Sequence, residues 1–267
     1  MLNESSLQHI QSTLAGMQKP VKLILFTSET GCSLCPKIHE VAQAIKSRAP
    51  KVALEVYDKT MDRDKVVQFG IQQVPSLVVH GMEGQTVTFC GEVGGITLNL
   101  LLDAIIGISN GKIWFPHNIR TTLKLLVRDV HIQVFVDVDC SLCKPVAETA
   151  MALALEDNHV YASIIVADDF PELKKKYDIS EPPKTVFGEN LHLDGHVTES
   201  TFLEMIFKAE GLKPSEAIKR CVVCGNDSAE IICTSCKSKI QAEAVEHKRG
   251  IDKFKEHGTV VKPRKNP

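Results

Sequence analysis

Gly31-Cys32-Ser33-Leu34-Cys35-Pro36 decides the fold, because its dithiol tetrapeptide returns as Cys140-Ser141-Leu142-Cys143, 108 residues further on. In both copies a proline stands 43 residues after the first cysteine: Pro75 in Val74-Pro75, and Pro183 in Pro182-Pro183. Glu29 with Asp137, and Phe69-Gly70-Ile71 with Tyr177-Asp178-Ile179, keep the same offset. An offset held over so many positions marks an internal repeat.

Hydrophobic patterning extends the repeat outward. Val21 to Phe26 and Ile132 to Val136 predict apolar strands running into each dithiol. After the first dithiol, Ile38, Val41, Ala42 and Ile45 recur at helical spacing, which places Cys32 at a strand-to-helix turn. The matching helix, Val146 to Leu155, is apolar more nearly all round and is expected to be more buried. Strands follow at Val52 to Tyr57 and Val160 to Val166, and short helices at Asp64 to Phe69 and Pro171 to Tyr177. Past each proline come two short strands, Leu77 to His80 with Thr86 to Cys90, and Thr185 to Phe187 with Leu191 to Asp194. Closing helices are expected near Thr97 to Ile106 and Glu199 to Lys208. A crossover helix between parallel strands puts helices on the sheet faces. Asn110 to Arg120, with Gly111, Pro116 and the single Trp114, reads as a junction loop.

Cys32-x-x-Cys35 with Val74-Pro75, repeated as Cys140-x-x-Cys143 with Pro182-Pro183, resembles the tandem thioredoxin-fold, glutaredoxin-like protein disulfide oxidoreductases. It is also similar to the paired domain at the N-terminus of the alkyl hydroperoxide reductase flavoprotein. The resemblance covers roughly residues 1–212. It implies an α/β fold of two tandem thioredoxin-like domains, each a central mixed sheet with flanking helices, with expected bounds 1–109 and 110–212. It further implies that Pro75 and Pro183 are cis-prolines beside the dithiols, with Val74 and Pro182 contacting substrate through free backbone. The chain departs from the family in having no tryptophan before Cys32 or Cys140, in the Ser-Leu dipeptide, and in carrying Phe26 and Val134 where a buried acid would stand.

The chemistry suits those positions. A thiolate attacks, and a cysteine at a helix N-terminus gains from free N–H groups and the helix dipole. Cys32 and Cys140 are therefore the expected nucleophiles. Cys35 and Cys143, nearly one turn on, are the expected resolving thiols. Asp139 adjoins Cys140 where Gly31 adjoins Cys32, so Cys32 is expected to be the more acidic. Glu29 and Asp137 read as solvated loop acids, Cys90 as a small buried hydrophobe, and His39 and His80 as ordinary surface or partly buried residues.

Residues 213–267 change pattern to Cys221-Val-Val-Cys224, eight residues, then Cys233-Thr-Ser-Cys236. Four thiolates on two short turns suit one structural Zn²⁺ in a small, closed, zinc-ribbon-like module, with iron or two further dithiols as alternatives. Ile240, Ala244, His247 and Ile251 hint at a helix, and residues 237–267 hold nine Lys or Arg against four Asp or Glu. We read this basic tail as a solvated face rather than a nucleic-acid contact. Residues 261–267 are expected to be disordered.

Bulk properties exclude several classes. With 267 residues and a net charge of −2, no global field draws the chain to nucleic acid or an anionic membrane. No apolar run reaches signal-peptide or membrane-spanning length. Eight of nine cysteines fall in Cys-x-x-Cys pairs, a pattern of redox or metal chemistry in a reducing, cytoplasmic compartment rather than of a secreted framework. There is no Gly-x-Gly-x-x-Gly fingerprint, so neither nucleotide nor flavin is expected on this chain. The leading functional expectation is thiol–disulfide exchange on protein disulfides, with a pyridine nucleotide–disulfide reductase as the donor that the resemblance implies. The alternatives are a dedicated electron carrier to a peroxidase, and a zinc-binding adaptor or redox sensor that docks partners.

Overall fold

The computed structural model describes residues 3–211, 220–226, 228 and 230–257, with side chains through residue 249. The first repeat contains α1 (Glu4–Leu14), β1 (Val21–Thr27), α2 (Cys35–Arg48), β2 (Val52–Asp58), α3 (Arg63–Gln68), β3 (Ser76–His80), β4 (Thr86–Cys90) and α4 (Gly95–Asn110). The second contains α5 (His117–Leu123), β5 (Val130–Val136), α6 (Cys143–Glu156), β6 (Val160–Val166), α7 (Pro171–Lys176), β7 (Lys184–Phe187), β8 (Leu191–Asp194) and α8 (Glu199–Ala209). α9 (Thr234–His257) follows the second cysteine cluster. The hint of a helix at residues 240–251 thus marks part of a longer one, and residues 261–267 lie outside the described residues.

The eight strands among the described residues form one sheet in the order β2-β1-β3-β4-β6-β5-β7-β8. The repeats meet where β4 runs parallel to β6, from Val87 opposite Ala162 to Cys90 opposite Ile165. β1 is antiparallel to β3 and β3 to β4, while β4, β6 and β5 are parallel. β1 and β5 therefore point the same way, and both dithiols open at the same end of the sheet.

Alternation along the strands divides the core. Leu23, Leu25, Leu77 and Val79 of the first repeat face one side, as do Ile132, Val134 and Ala162 of the second, and they join α1, α2, α4, α6, α8 and α9 in one continuous core. Ile24, Phe26 and Val78 face the other side under α3, and Phe135, Ile165 and Val186 do the same under α7. Beside α3 that second face carries a cleft of about 480 Å³, lined in part by Ser76, Thr88, Cys90, Gln133 and Ser163. α6 carries buried residues from Cys143 to Leu155 nearly all round, as its composition indicates, because it packs against both β6 and α4.

One element goes unmarked in the sequence, and another differs from what the sequence leads one to expect. α1 is a helix capped by Asn3, whose Oδ1 accepts the Ser6 N–H at 2.7 Å, and it buries Ile10 and Leu14. The junction is more than a loop, since its last part winds into α5. Buried Glu156 at the end of α6 organises it by accepting the N–H groups of Trp114 and Phe115 and pairing with Arg120 at 2.9 Å. That carboxylate lies 36 to 42 residues away in sequence, so no local pattern could announce it.

Candidate functional site: two dithiols and a four-cysteine cluster

Each dithiol sits where a strand gives way to a helix, and each is an oxidised pair. Cys32 and Cys35 are bonded at 2.02 Å, Cys140 and Cys143 at 2.14 Å. The first cysteine of each pair is half-buried and the second is buried. Helix geometry explains this, because the second cysteine is the first residue of α2 or α6 and turns inward. The Cys35 N–H donates to Cys32 Sγ at 3.1 Å, and the Cys143 N–H donates to Cys140 Sγ at the same distance. Free N–H groups at a helix start thus point at the more accessible sulfur, where they favour a thiolate.

The Val74-Pro75 and Pro182-Pro183 peptide bonds are both cis. Val74 and Pro182 are half-buried, while Pro75 and Pro183 are buried. The Pro75 carbonyl accepts the Gly91 N–H at 3.1 Å, and the Pro183 carbonyl accepts the Gly195 N–H at 2.8 Å. The turn before each proline is also shared. Gly70 and its counterpart Asp178 both adopt left-handed backbone, with φ of 61° and 49°.

β1 and β5 are four strand steps apart, about 19 Å at the usual spacing of about 4.8 Å, so the two dithiols do not touch.

The remaining residues singled out in the sequence fall into place. Glu29 and Asp137 are exposed, and His39 is exposed while His80 is half-buried and bonded to Thr86. Cys90 is buried against Ser76, 3.2 Å away, and burial pushes its thiol up to about 11. It stays a neutral thiol at ordinary pH. Sequence reading missed Asp169, which reaches the flank of the first dithiol from the other repeat. Its Oδ2 accepts the Glu92 N–H at 2.7 Å, and burial raises its carboxyl above the usual aspartate value. The contact spans 77 residues and depends on the β4–β6 pairing, which leaves no spacing signal.

Cys221, Cys224, Cys233 and Cys236 bring their sulfurs within 4.8 Å of one another. Cys224 Sγ and Cys233 Sγ are 3.8 Å apart. A tetrahedral Zn–S cage with bonds of about 2.3 Å has edges of about 3.8 Å, so the arrangement fits a closed four-sulfur metal site. Burial pushes the Cys221 thiol up, but N–H groups of Cys233, Cys224 and Val223 outweigh it and bring the thiol down to about 6. Burial and the three neighbouring cysteines push Cys236 far up. Four thiolates gathered here would need a cation to balance them. The module docks on α8 of the second repeat: Lys237 pairs with Glu204 at 2.5 Å, Gln241 Nε2 donates to Glu199 Oε2 at 2.8 Å, and Lys248 pairs with Glu199.

Strand, dithiol, inward helix and cis-proline, present twice on one sheet, define a tandem thioredoxin-fold dithiol protein. Comparison with known proteins agrees. The Thioredoxin domain family matches residues 130–208. A probable thioredoxin of Methanothermobacter marburgensis is 36% identical over 75 residues, 28% of this chain and 82% of that protein. One from Methanothermobacter thermautotrophicus is 35% identical over 63 residues, 23% of this chain and 73% of that protein. The chain belongs to the thioredoxin family. Among solved structures, a protein disulfide oxidoreductase from Aeropyrum pernix aligns at TM-score 0.72 and 25% identity, over 79% of this chain and 95% of that one. The N-terminal N/C domain of alkyl hydroperoxide reductase AhpF from Enterococcus faecalis aligns at TM-score 0.70 and 23% identity, over 77% of this chain and all of that one, a likeness of fold. No helix among the described residues is long and apolar enough to cross a membrane.

Proposed function

We propose that the chain is a thiol–disulfide oxidoreductase acting on protein disulfides through both dithiols. The observation that carries this reading is the pairing, at each site, of a half-buried sulfur facing helix N–H groups with a buried partner sulfur and a cis-proline. In the reducing direction, the Cys32 or Cys140 thiolate attacks one sulfur of a client disulfide and forms a mixed disulfide. The client's other sulfur leaves as thiolate and takes up a proton. Cys35 or Cys143, deprotonated, then attacks the mixed disulfide, frees the second client thiol and closes the disulfide present in this structure. Two electrons pass to the client. The cis-prolines and their preceding residues, Val74 and Pro182, offer the backbone edge against which an extended client strand pairs.

A pyridine nucleotide–disulfide reductase is the class of donor that would reduce the enzyme again, and a reducing cytoplasm is the compartment the chemistry suits. Zn²⁺ is the ion we assign to the four-cysteine cluster, where Cys221, Cys224, Cys233 and Cys236 would hold it in a structural role. By these roles the chain divides into two redox domains, 1–109 and 110–212, and a metal-bound appendage, 213–267.

The test is reduction of a model protein disulfide by dithiothreitol, with and without the protein. Catalysis above the uncatalysed rate, abolished when Cys32→Ser is combined with Cys140→Ser, is the expected result. A protein that gives no acceleration, with the double variant indistinguishable from it, sinks the enzyme reading and leaves a docking role in its place.

A further inference from the structure

The first dithiol takes one of its flanks from the other repeat. Gly91 donates its N–H to the Pro75 carbonyl, so Gly91-Glu92 is the backbone that lies alongside the first cis-proline edge. The next N–H, that of Glu92, donates to Asp169 Oδ2 at 2.7 Å. Gly91 is buried and left-handed at φ +92°, and a Cβ there would run into the Asp169 carboxylate. The turn is thus shaped to admit that carboxylate, which follows the end of β6 and is carried there by the β4–β6 seam. Lys37, in the first turn of α2 just past Cys35, attracts the same carboxylate, and Glu92 and Asp168 repel it.

The second dithiol has no such clamp among the described residues. Its counterpart turn begins at Gly195, whose N–H bonds the Pro183 carbonyl in the same way, but nothing stands within 4 Å of the position a Cβ would take.

We infer that Asp169 is a positioning residue for the first dithiol: it holds the Gly91-Glu92 turn against cis-Pro75, so that the edge receiving an extended client strand is assembled from both repeats. The second client edge is built by its own repeat alone. This rests on the oxidoreductase reading above. Charge is secondary in this role, because the function is to accept one N–H. Asparagine can still do that and alanine cannot.

The experiment measures steady-state reduction of a disulfide-containing peptide at each dithiol separately. Cys140→Ser with Cys143→Ser isolates the first, and Cys32→Ser with Cys35→Ser the second. At the first dithiol, Asp169→Ala is expected to raise KM about 5- to 10-fold, the scale of one lost hydrogen bond, with kcat within about twofold. Asp169→Asn is expected to keep KM within about twofold of the parent, and neither variant to move KM at the second dithiol. Amide exchange at Glu92 gives a readout free of activity, faster in Asp169→Ala than in Asp169→Asn. An active parent whose KM is untouched by Asp169→Ala, an equal loss in Asp169→Asn, or an equal loss at the second dithiol overturns the inference alone. A parent inactive at the first dithiol overturns the inference together with the reading beneath it.

Discussion

The two dithiols share a tetrapeptide, a cis-proline and a 43-residue step between them, yet their surroundings differ on three sides. The residue before the first cysteine is Gly31 in one and Asp139 in the other. Leu34 is half-buried, while its counterpart Leu142 is 70% exposed and presents an apolar side chain beside the second disulfide. The cross-repeat contacts also differ. Asp169 grips the turn beside Pro75, whereas at the second dithiol it is the approach loop that is held. There the Ile96 N–H donates to the Val138 carbonyl at 2.9 Å, and Gly95 lies too close to that carbonyl for any side chain. What the comparison teaches is that the repeat builds the two dithiols alike, while their surroundings differ through Asp139 before Cys140 and through the contacts that cross between repeats.

The sharpest way to break this symmetry is through the appendage, because α9 is tied to α8 of the second repeat. With Zn²⁺ held there as proposed, Cys221→Ser with Cys236→Ser, or a strong chelator, is expected to cost about 5 kcal/mol or more of the module's stability, since metal binding would then be part of its folding equilibrium. Hydrogen exchange should rise in α8 and α9 and stay unchanged in α1, α2 and β1. A uniform rise through both repeats would show that the second repeat does not take the load alone.

Gly95→Ala should act next most strongly. Its φ of +46° is left-handed, and the added methyl meets the Val138 carbonyl. We expect about 2–3 kcal/mol of destabilisation by denaturant unfolding, and a loss of turnover confined to the second dithiol. Equal losses at both dithiols would mean the approach loop is not what Gly95 shapes.

A smaller effect is carried by Glu199. Burial pushes its carboxyl up, but Lys248, a backbone N–H and Gln241 outweigh it and hold it below the usual glutamate value. A carboxylate depressed in the folded state stabilises fully above that value and loses its contribution as pH falls through the lowered one. The gap in unfolding free energy between the parent and Glu199→Gln should therefore be about 1–2 kcal/mol near neutrality and vanish in acid. A gap that widens in acid would contradict the pairing.

The smallest expected difference is in thiol acidity. Both first cysteines receive the same N–H at 3.1 Å, so that bond does not separate them. The charge of Asp139 does, and Cys32 should titrate below Cys140 in variants that retain one dithiol each, with Asp139→Gly closing the gap. Titrations in the opposite order would remove Asp139 from the account.

The comparison also divides what was legible in the sequence from what was not. The strands and helices of each repeat follow from period-two and helical spacing within a few residues, and the two prolines were marked by their shared distance from Cys32 and Cys140. The cage of Cys221 to Cys236 was likewise written in local spacing. α1 escaped because residues 4–14 are mostly polar and their apolar face, Ile10 and Leu14, is short. α5 escaped because what orders the junction is Glu156, a carboxylate from the end of α6. Asp169 and Gly95 escaped for the same reason: their partners are set by the pairing of β4 with β6, which no periodicity records.

The central claim, that both dithiols turn over, is tested most directly by trapping. Cys35→Ser in a chain lacking Cys140 and Cys143, and Cys143→Ser in a chain lacking Cys32 and Cys35, are reduced, mixed with a disulfide client and weighed intact. The account predicts one client joined per chain in each case, mapped to Cys32 in the first and Cys140 in the second, and released by dithiothreitol. A chain that stays at its own mass at either position contradicts it.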